Sequence, residues 1–292
     1  MRSRSQFGKE RNRFIREKEE LLFARVRGAQ SHLYSLLIEL ISDFDTDEDK
    51  NIKFTARNIS KRTALNQIIT AFNKSRAVSI AKWVVERVRE LIGLNKGYFK
   101  HLDSDAKVDD RVRKRIMTRL GYDEVKKKII KNSFLDRITN TTSLAEEIGQ
   151  DFNRGIESKM SLSQFRKQFK AKFTNPDGLG MVERNFYRTT NDIFASYDRA
   201  IALDYADELE LNHAIYAGTE KNNTRDFCKE RLNKLYTREE IRNWANLDFQ
   251  GKPKIYNPET DCGGYNCRHS LNWISDELAK RLIPRLGLNQ YN

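Results

Sequence analysis

Apolar residues recur at helical spacing along most of the chain. Between residues 11 and 44 a stripe runs through Leu21, Leu22, Val26, Leu33, Leu36, Leu37, Leu40 and Ile41, which predicts one long helix. An acidic run at 43–49 ends it. Residues 57–72 predict a second amphipathic helix with Ile59, Leu65, Ile68, Ile69 and Phe72 inward, and 78–94 a third that stops near Gly93. Shorter helices are expected at 104–120 and 124–138. The periodicity lapses at 140–143 and resumes in helices at 144–159 and 161–173, the second opened by a capping box of Ser161 and Gln164. A turn, Asn175-Pro-Asp-Gly178, then precedes a long helix expected from 179 to 209.

The texture changes after Glu210. Residues 213–217 predict a strand, 234–237 its partner, and 267–274 a third. Thr237 and Glu240 form another capping box, opening a short helix through Ile241 and Trp244, and a last helix is expected at 276–286. The fold class is therefore mainly α, a helical N-terminal unit followed by long helices and a small C-terminal α+β module with a short antiparallel sheet. The expected domains are 1–140 and 141–292, the module occupying 211–292.

Charge adds a direction. The net charge is +13, yet residues 1–147 carry 32 basic and 21 acidic groups while 148–292 carry 22 and 20. A basic half points to a polyanion, because Lys and Arg on phosphates release condensed counterions. Arg2, Arg4, Arg11, Arg13 and Arg16, interleaved with Phe7, Phe14 and Phe23, are the candidate nucleic-acid contacts; the alternative is the polar start of a helix. The basic start lacks the apolar core of a secretory leader, and no stretch approaches the ~20 apolar residues of a membrane span. With Cys228, Cys262 and Cys267 as its three cysteines, the chain reads as made in a reducing cytoplasm rather than held by disulfides.

The informative motifs lie in the second half. In order they are Arg188-Thr189 on a helix, Tyr216-Ala-Gly-Thr219, Thr224-Arg225-Asp226-Phe227-Cys228, Lys234-Leu-Tyr-Thr237 and Gly263-Gly-Tyr-Asn266-Cys267-Arg268-His269. This series resembles the C-terminal domain of phage minor head proteins of the Mu F-like, head-morphogenesis family, and its ending is similar to the variant seen in phages of Bacteroidetes hosts. It covers about half the chain, and departs from the family pattern in lacking an acidic residue before the Thr-Arg pair and a second Cys after Cys267. The resemblance implies a structural virion protein, assembled in the bacterial cytoplasm beside the portal and other head or neck proteins and near packaged DNA, with no membrane partner and no cofactor chemistry. Its motif residues here are Arg188, Thr189, Thr224, Arg225, Asp226, Cys228, Asn266, Arg268 and His269.

Two chemistries compete with a purely structural module. Cys228, Cys262, Cys267 and His269 could supply three thiolates and an imidazole to a structural zinc ion; otherwise Cys228 and Cys267 are small buried hydrophobes while Arg268 and His269 bond the turn. His213 and His269 with Asp226 or Asp261 could instead serve a metal-dependent nuclease, although no compact nuclease pattern is present. A connector protein with no DNA contact is a further alternative. Glu208-Leu-Glu210 matches the Glu-x-Glu of ADP-ribosyltransferases but closes a charged helix, where alternate glutamates are ordinary. Arg225 is expected to hold backbone carbonyls or a carboxylate with its planar fork.

Overall fold

Helix α1, Arg4–Ser42, buries a single seam: Phe7, Arg11, Ile15, Glu19, Leu22, Val26, Gln30, Leu33, Leu37 and Ile41. The spacing of three or four residues keeps these positions on one face. In this computed structural model, which describes residues 4–102 and 104–286, the chain is mainly helical with two small antiparallel sheets. Helices α2 (Ala56–Phe72) and α3 (Val78–Phe99) follow, joined by a π-helical turn at Asn73–Ala77, and then α4 (Ala106–Leu120). Strands β1 (Tyr122–Asp123) and β2 (Lys128–Ile129) make a hairpin, followed by α5 (Phe134–Thr139), α6 (Thr142–Glu157), α7 (Leu162–Thr174), α8 (Met181–Thr190) and α9 (Ile193–Glu208). The C-terminal segment runs β3 (His213–Ala217), α10 (Asp226–Arg231), β4 (Leu235–Thr237), α11 (Arg238–Asn243), α12 (Pro258–Asp261), β5 (Ser270–Ile274) and α13 (Asp276–Leu286).

Two compact units form, and both are discontinuous. One takes Met1–Glu19, Glu86–Arg119 and Asp192–Asn292; the other takes Glu20–Val85 and Leu120–Asn191. The chain thus divides differently from the expected single cut after residue 140. Helices α1 and α3 contribute to both units, because each carries buried residues over its whole length.

In the unit built from Glu20–Val85 and Leu120–Asn191, the core is aromatic. Phe44 stacks on Phe165 at 6.1 Å and meets Phe152 edge-on at 5.7 Å, and Phe169 continues the cluster to Phe173 and Tyr34. A Cβ at Gly155 would lie 2.7 Å from the Phe165 ring, so glycine there lets α6 and α7 approach. Asp43 and Asp45 of the acidic run accept from Arg57, and Asp43 also pairs with Lys61. Ile59, expected inside, is 47% exposed, while the buried face of α2 instead carries Asn58, Lys61, Leu65, Ile69 and Phe72. Asn58 faces inward because its side-chain amide donates to the carbonyls of Asp45 and Lys53, tying the preceding loop to the helix.

Turn chemistry overrides the expected helix at 124–138. Gly121 has φ +89, the Asp123 carboxylate accepts from the amides of Val125 and Lys126 at 3.0 and 2.9 Å, and Lys127 is left-handed at φ 51. These features close the β1–β2 hairpin and place Lys126 and Lys127 at its turn and Lys128 in β2 rather than on a helix. The Gly93 stop is also absent: α3 continues to Phe99, because Asn95, Tyr98 and Phe99 are buried.

The expected helix at 179–209 is broken where the chain passes from one unit to the other. Asp192 adopts φ 62 and separates α8 from α9. The three-stranded sheet has the order β4-β3-β5, with His213 opposite both Thr237 and Ile274. Helix α13 covers one side, where Leu278, Ala279, Leu282 and Ile283 pack on Ile215, Leu235 and Ile274. Helix α9 lies against β5 and α12, and Tyr205 of α9 stacks on Phe99 at 4.5 Å. The expected Thr237–Glu240 capping box is present and opens α11.

Candidate functional site

The segment 262–269 has almost no regular structure, so other elements must satisfy its backbone. Two arginines do this. Arg225, at the N-cap of α10, donates to the carbonyls of Gly263 at 3.1 Å and Tyr265 at 2.6 Å, as its planar fork suggested. Arg199 of α9 is 5% exposed and donates to the carbonyls of Thr260, Cys267 at 2.8 Å and His269 at 3.5 Å. Arg199 escaped the sequence reading; a lone basic residue in the apolar stretch Ile193–Leu203 was the signal that could have found it. Gly251 and Gly264, at φ +86 and +81, press backbone on backbone here, and a Cβ on Gly264 would lie 2.1 Å from the Gly251 carbonyl oxygen.

Three of the four proposed metal donors meet. Cys228 of α10, Cys267 of the loop and His269 just before β5 bring their donor atoms within 4.8 Å of one another, and all three are buried. The sulfurs of Cys228 and Cys267 are 4.0 Å apart, and His269 Nδ1 lies 3.6 Å from Cys267 Sγ. Cys262 does not join them. It is fully buried at the end of α12 with φ 50, and the backbone of the next residue, Gly263, lies against the sulfur pair instead. Of the four expected donors, the close group therefore holds Cys228, Cys267 and His269 without Cys262.

Tyr216 of β3 was not foreseen as part of this cluster. Its hydroxyl donates to Cys228 Sγ at 3.3 Å and lies 3.7 Å from Cys267 Sγ, and its ring stacks on His269 at 5.4 Å. The Gly263 amide donates to Cys267 Sγ at 3.2 Å. Hydrogen bonding from Cys228 is the largest cause holding the Cys267 thiol far below its ordinary range; His269 and the Arg199 charge add to it against the opposing effect of burial. That same hydrogen bond, with burial, pushes the Cys228 thiol up.

Arg268 points away from the cluster, pairing with Glu19 of α1 at 2.5 Å and with Asp192 at 2.7 Å. Burial raises the pKa of both carboxyls, partly offset by Arg268. Thr224 accepts from the Lys221 amide at 2.7 Å and closes the turn before α10. Asp226 is exposed and pairs with Lys229, while Asn266 takes φ 58 in the loop. The nuclease residues do not assemble: His213 bonds Asp276 at 2.8 Å, Asp261 accepts from the Asn257 amide, and neither belongs to the Cys–His group. Glu208 is held by Arg111 and Arg115. Trp244 and Trp273 are both core residues.

Of the candidate nucleic-acid contacts, Arg11 is corrected. It is 2% exposed and bonded to Asn95 and Asn272 inside the unit, so no phosphate can reach it. Arg13 and Arg16 are exposed, Arg13 beside Glu17. Arg2 and the side chains of Arg4, Arg188 and Thr189 lie outside the described residues. No helix among the described residues is long and apolar enough to cross a membrane. Comparison of the chain with protein-family models, with curated proteins and with solved structures finds no match.

Proposed function

We propose that this chain is a structural component of a tailed-phage particle, a minor head protein that works beside the portal in head assembly or genome delivery. The observation that carries the reading is how the motif residues are used. Arg225, Cys228, Arg268 and His269 are all engaged with backbone, buried sulfur or buried carboxylates of their own unit. Such use suits a module whose shape is its function, and the ordered motif series is the one that resembles the Mu F-like head-morphogenesis family. The excess positive charge of residues 1–147 suits a position near packaged DNA.

Cross-linking mass spectrometry on intact particles carrying this chain tests the reading. Links between the chain and portal subunits are the expected result. Links only to neck proteins, with binding that survives high salt, would favour a connector without DNA contact. No link to any virion protein, together with metal-dependent DNA cleavage that His269→Ala abolishes, would replace the reading with the nuclease.

A further inference from the structure

We propose that Cys228, Cys267, His269 and Tyr216 are the four corners of a site for one zinc ion, a donor set of two sulfurs, one imidazole nitrogen and one phenol oxygen. The inference rests on geometry within one unit and stands apart from any role in a virion.

Four of the six edges of this donor set can be compared with a zinc tetrahedron. With Zn–S near 2.3 Å and Zn–N or Zn–O near 2.0–2.1 Å, the edges should be about 3.8 Å between sulfurs and about 3.5–3.6 Å from sulfur to nitrogen or oxygen. The protein has 4.0 Å between Cys228 and Cys267, 3.6 Å from Cys267 to His269 Nδ1, and 3.3 and 3.7 Å from the Tyr216 hydroxyl to the two sulfurs. The donors are therefore already spaced for a metal, and little movement is needed.

Two further observations point the same way. His269 is 6% exposed, faces the sulfurs with Nδ1, and has no hydrogen-bond partner for Nε2 among the described residues. Burial holds the ring with Nδ1 toward the sulfurs, the orientation a ligand needs, while the unpaired Nε2 is a cost that ligation at Nδ1 does not relieve. Gly263 is the second. A Cβ there would lie 2.3 Å from Cys228 Sγ and 3.1 Å from Cys267 Sγ, so bare backbone closes over the pair, and its amide supplies the N–H···S bond to Cys267.

The charge balance also works. Binding takes both sulfurs as thiolates, and their protons leave for solvent. Two thiolates then neutralise a divalent cation and the phenol stays protonated, leaving no net charge in a buried site. Mixed sulfur and imidazole donors select zinc over calcium or magnesium, which take oxygen ligands. With all four side chains buried the site is structural, pinning α10, β3 and the loop 262–269 to one point.

The test is a Co2+ titration of the full chain, purified under reducing agent and stripped with chelator. One equivalent should produce the charge-transfer and intense visible bands of a tetrahedral thiolate site, and Zn2+ should displace it. Cys228→Ser and His269→Ala should each weaken binding at least tenfold, whereas Cys262→Ser should bind as the parent does. Tyr216→Phe should still bind but with shifted visible bands, because water replaces the phenol; an unchanged spectrum would remove Tyr216 from the set. Absence of tetrahedral bands from a chain that circular dichroism shows to be folded would overturn the site. Loss of binding in a folded Cys262→Ser would overturn this choice of donors.

Discussion

Arg11 and Asp198 form an ion pair out of reach of water, with Arg11 Nε 3.4 Å from Asp198 Oδ1 and the side chains 3% and 2% exposed. Asn95 bridges them, accepting from Arg11 at 3.0 Å and donating to Asp198 at 2.8 Å, and Asn272 accepts the second guanidinium bond. Removing one partner leaves a charge with nothing to offset its desolvation, so Arg11→Ala should lower stability by about 3–5 kcal/mol. Replacing both, as Arg11→Met with Asp198→Leu, should cost far less. Denaturant unfolding of the two variants beside the parent decides it, and a loss below about 1 kcal/mol in the single variant would show that the pair contributes little.

Why this pair was hidden in the sequence is instructive. The stripe of α1 was legible where its residues are apolar, from Leu22 to Ile41, and illegible where the same seam is occupied by Arg11 and Glu19. Hydrophobic periodicity registers a buried charge as surface, so Arg11 looked like one of several basic residues available to DNA. Its partners lie 84 and 261 residues away, and no local pattern announces them.

Glycine 263 offers a sharp test of the packing around the sulfurs. The Gly263→Ala methyl would sit 2.3 Å from Cys228 Sγ. The backbone must then withdraw, at a cost of about 1–3 kcal/mol, and the N–H···S bond to Cys267 must lengthen. Thermal unfolding should show a lower midpoint, and Co2+ affinity at the proposed site should fall with it. An unchanged midpoint would mean that the loop has another position of equal stability.

Acid should weaken the unit that contains α4 and α9. Hydrogen bonds from Arg111 and then Arg115 hold the Glu208 carboxyl below its usual range. Burial opposes ionisation of Asp109, but hydrogen bonds from Lys96, Tyr205 and Ser104 outweigh it and hold that carboxyl low as well. A depressed carboxyl stabilises the fold above its unfolded pKa, about 4 for these groups, and that contribution is lost as pH falls through the folded value. Thermal midpoints should therefore drop below about pH 4, less steeply in Glu208→Gln. Equal slopes in parent and variant would exclude Glu208 as a contributor.

If the chain meets DNA, exposed arginines of α1 should carry part of the contact. The logarithm of affinity should fall linearly with the logarithm of salt concentration, and Arg13→Ala with Arg16→Ala should reduce that slope by roughly one unit per phosphate lost. Fluorescence anisotropy with duplex DNA across a salt series reads the slope directly. No change in slope would move the contact elsewhere, with the Lys126–Lys128 hairpin next to be tested.

The site was half legible. Cysteine and histidine identity drew attention to Cys228, Cys267 and His269, and the geometry brings those three together. Cys262 shares their chemistry and neighbourhood in sequence, yet a positive φ and its place at the end of α12 keep it apart. Tyr216 was read only as a member of the motif series and Arg199 not at all, because neither a tyrosine in a strand nor an arginine in a helix carries a signature of what it touches. Only the pairing of β3 with β5 and the packing of α9 reveal what they touch.

The division of the chain also sets an order of events on the ribosome. Residues up to Glu19 belong to the same unit as 192–292, and Arg11 needs Asp198 and Asn272 to satisfy its charge. The stretch of α1 up to Glu19 must therefore wait for residues beyond 191 to be made before its part of the seam can close. Contacts so distant in sequence form slowly, and an unfilled seam is sticky meanwhile. Early chains of this protein should be clients of chaperones that bind emerging apolar segments, and truncation before β5 should leave Arg11 without Asn272.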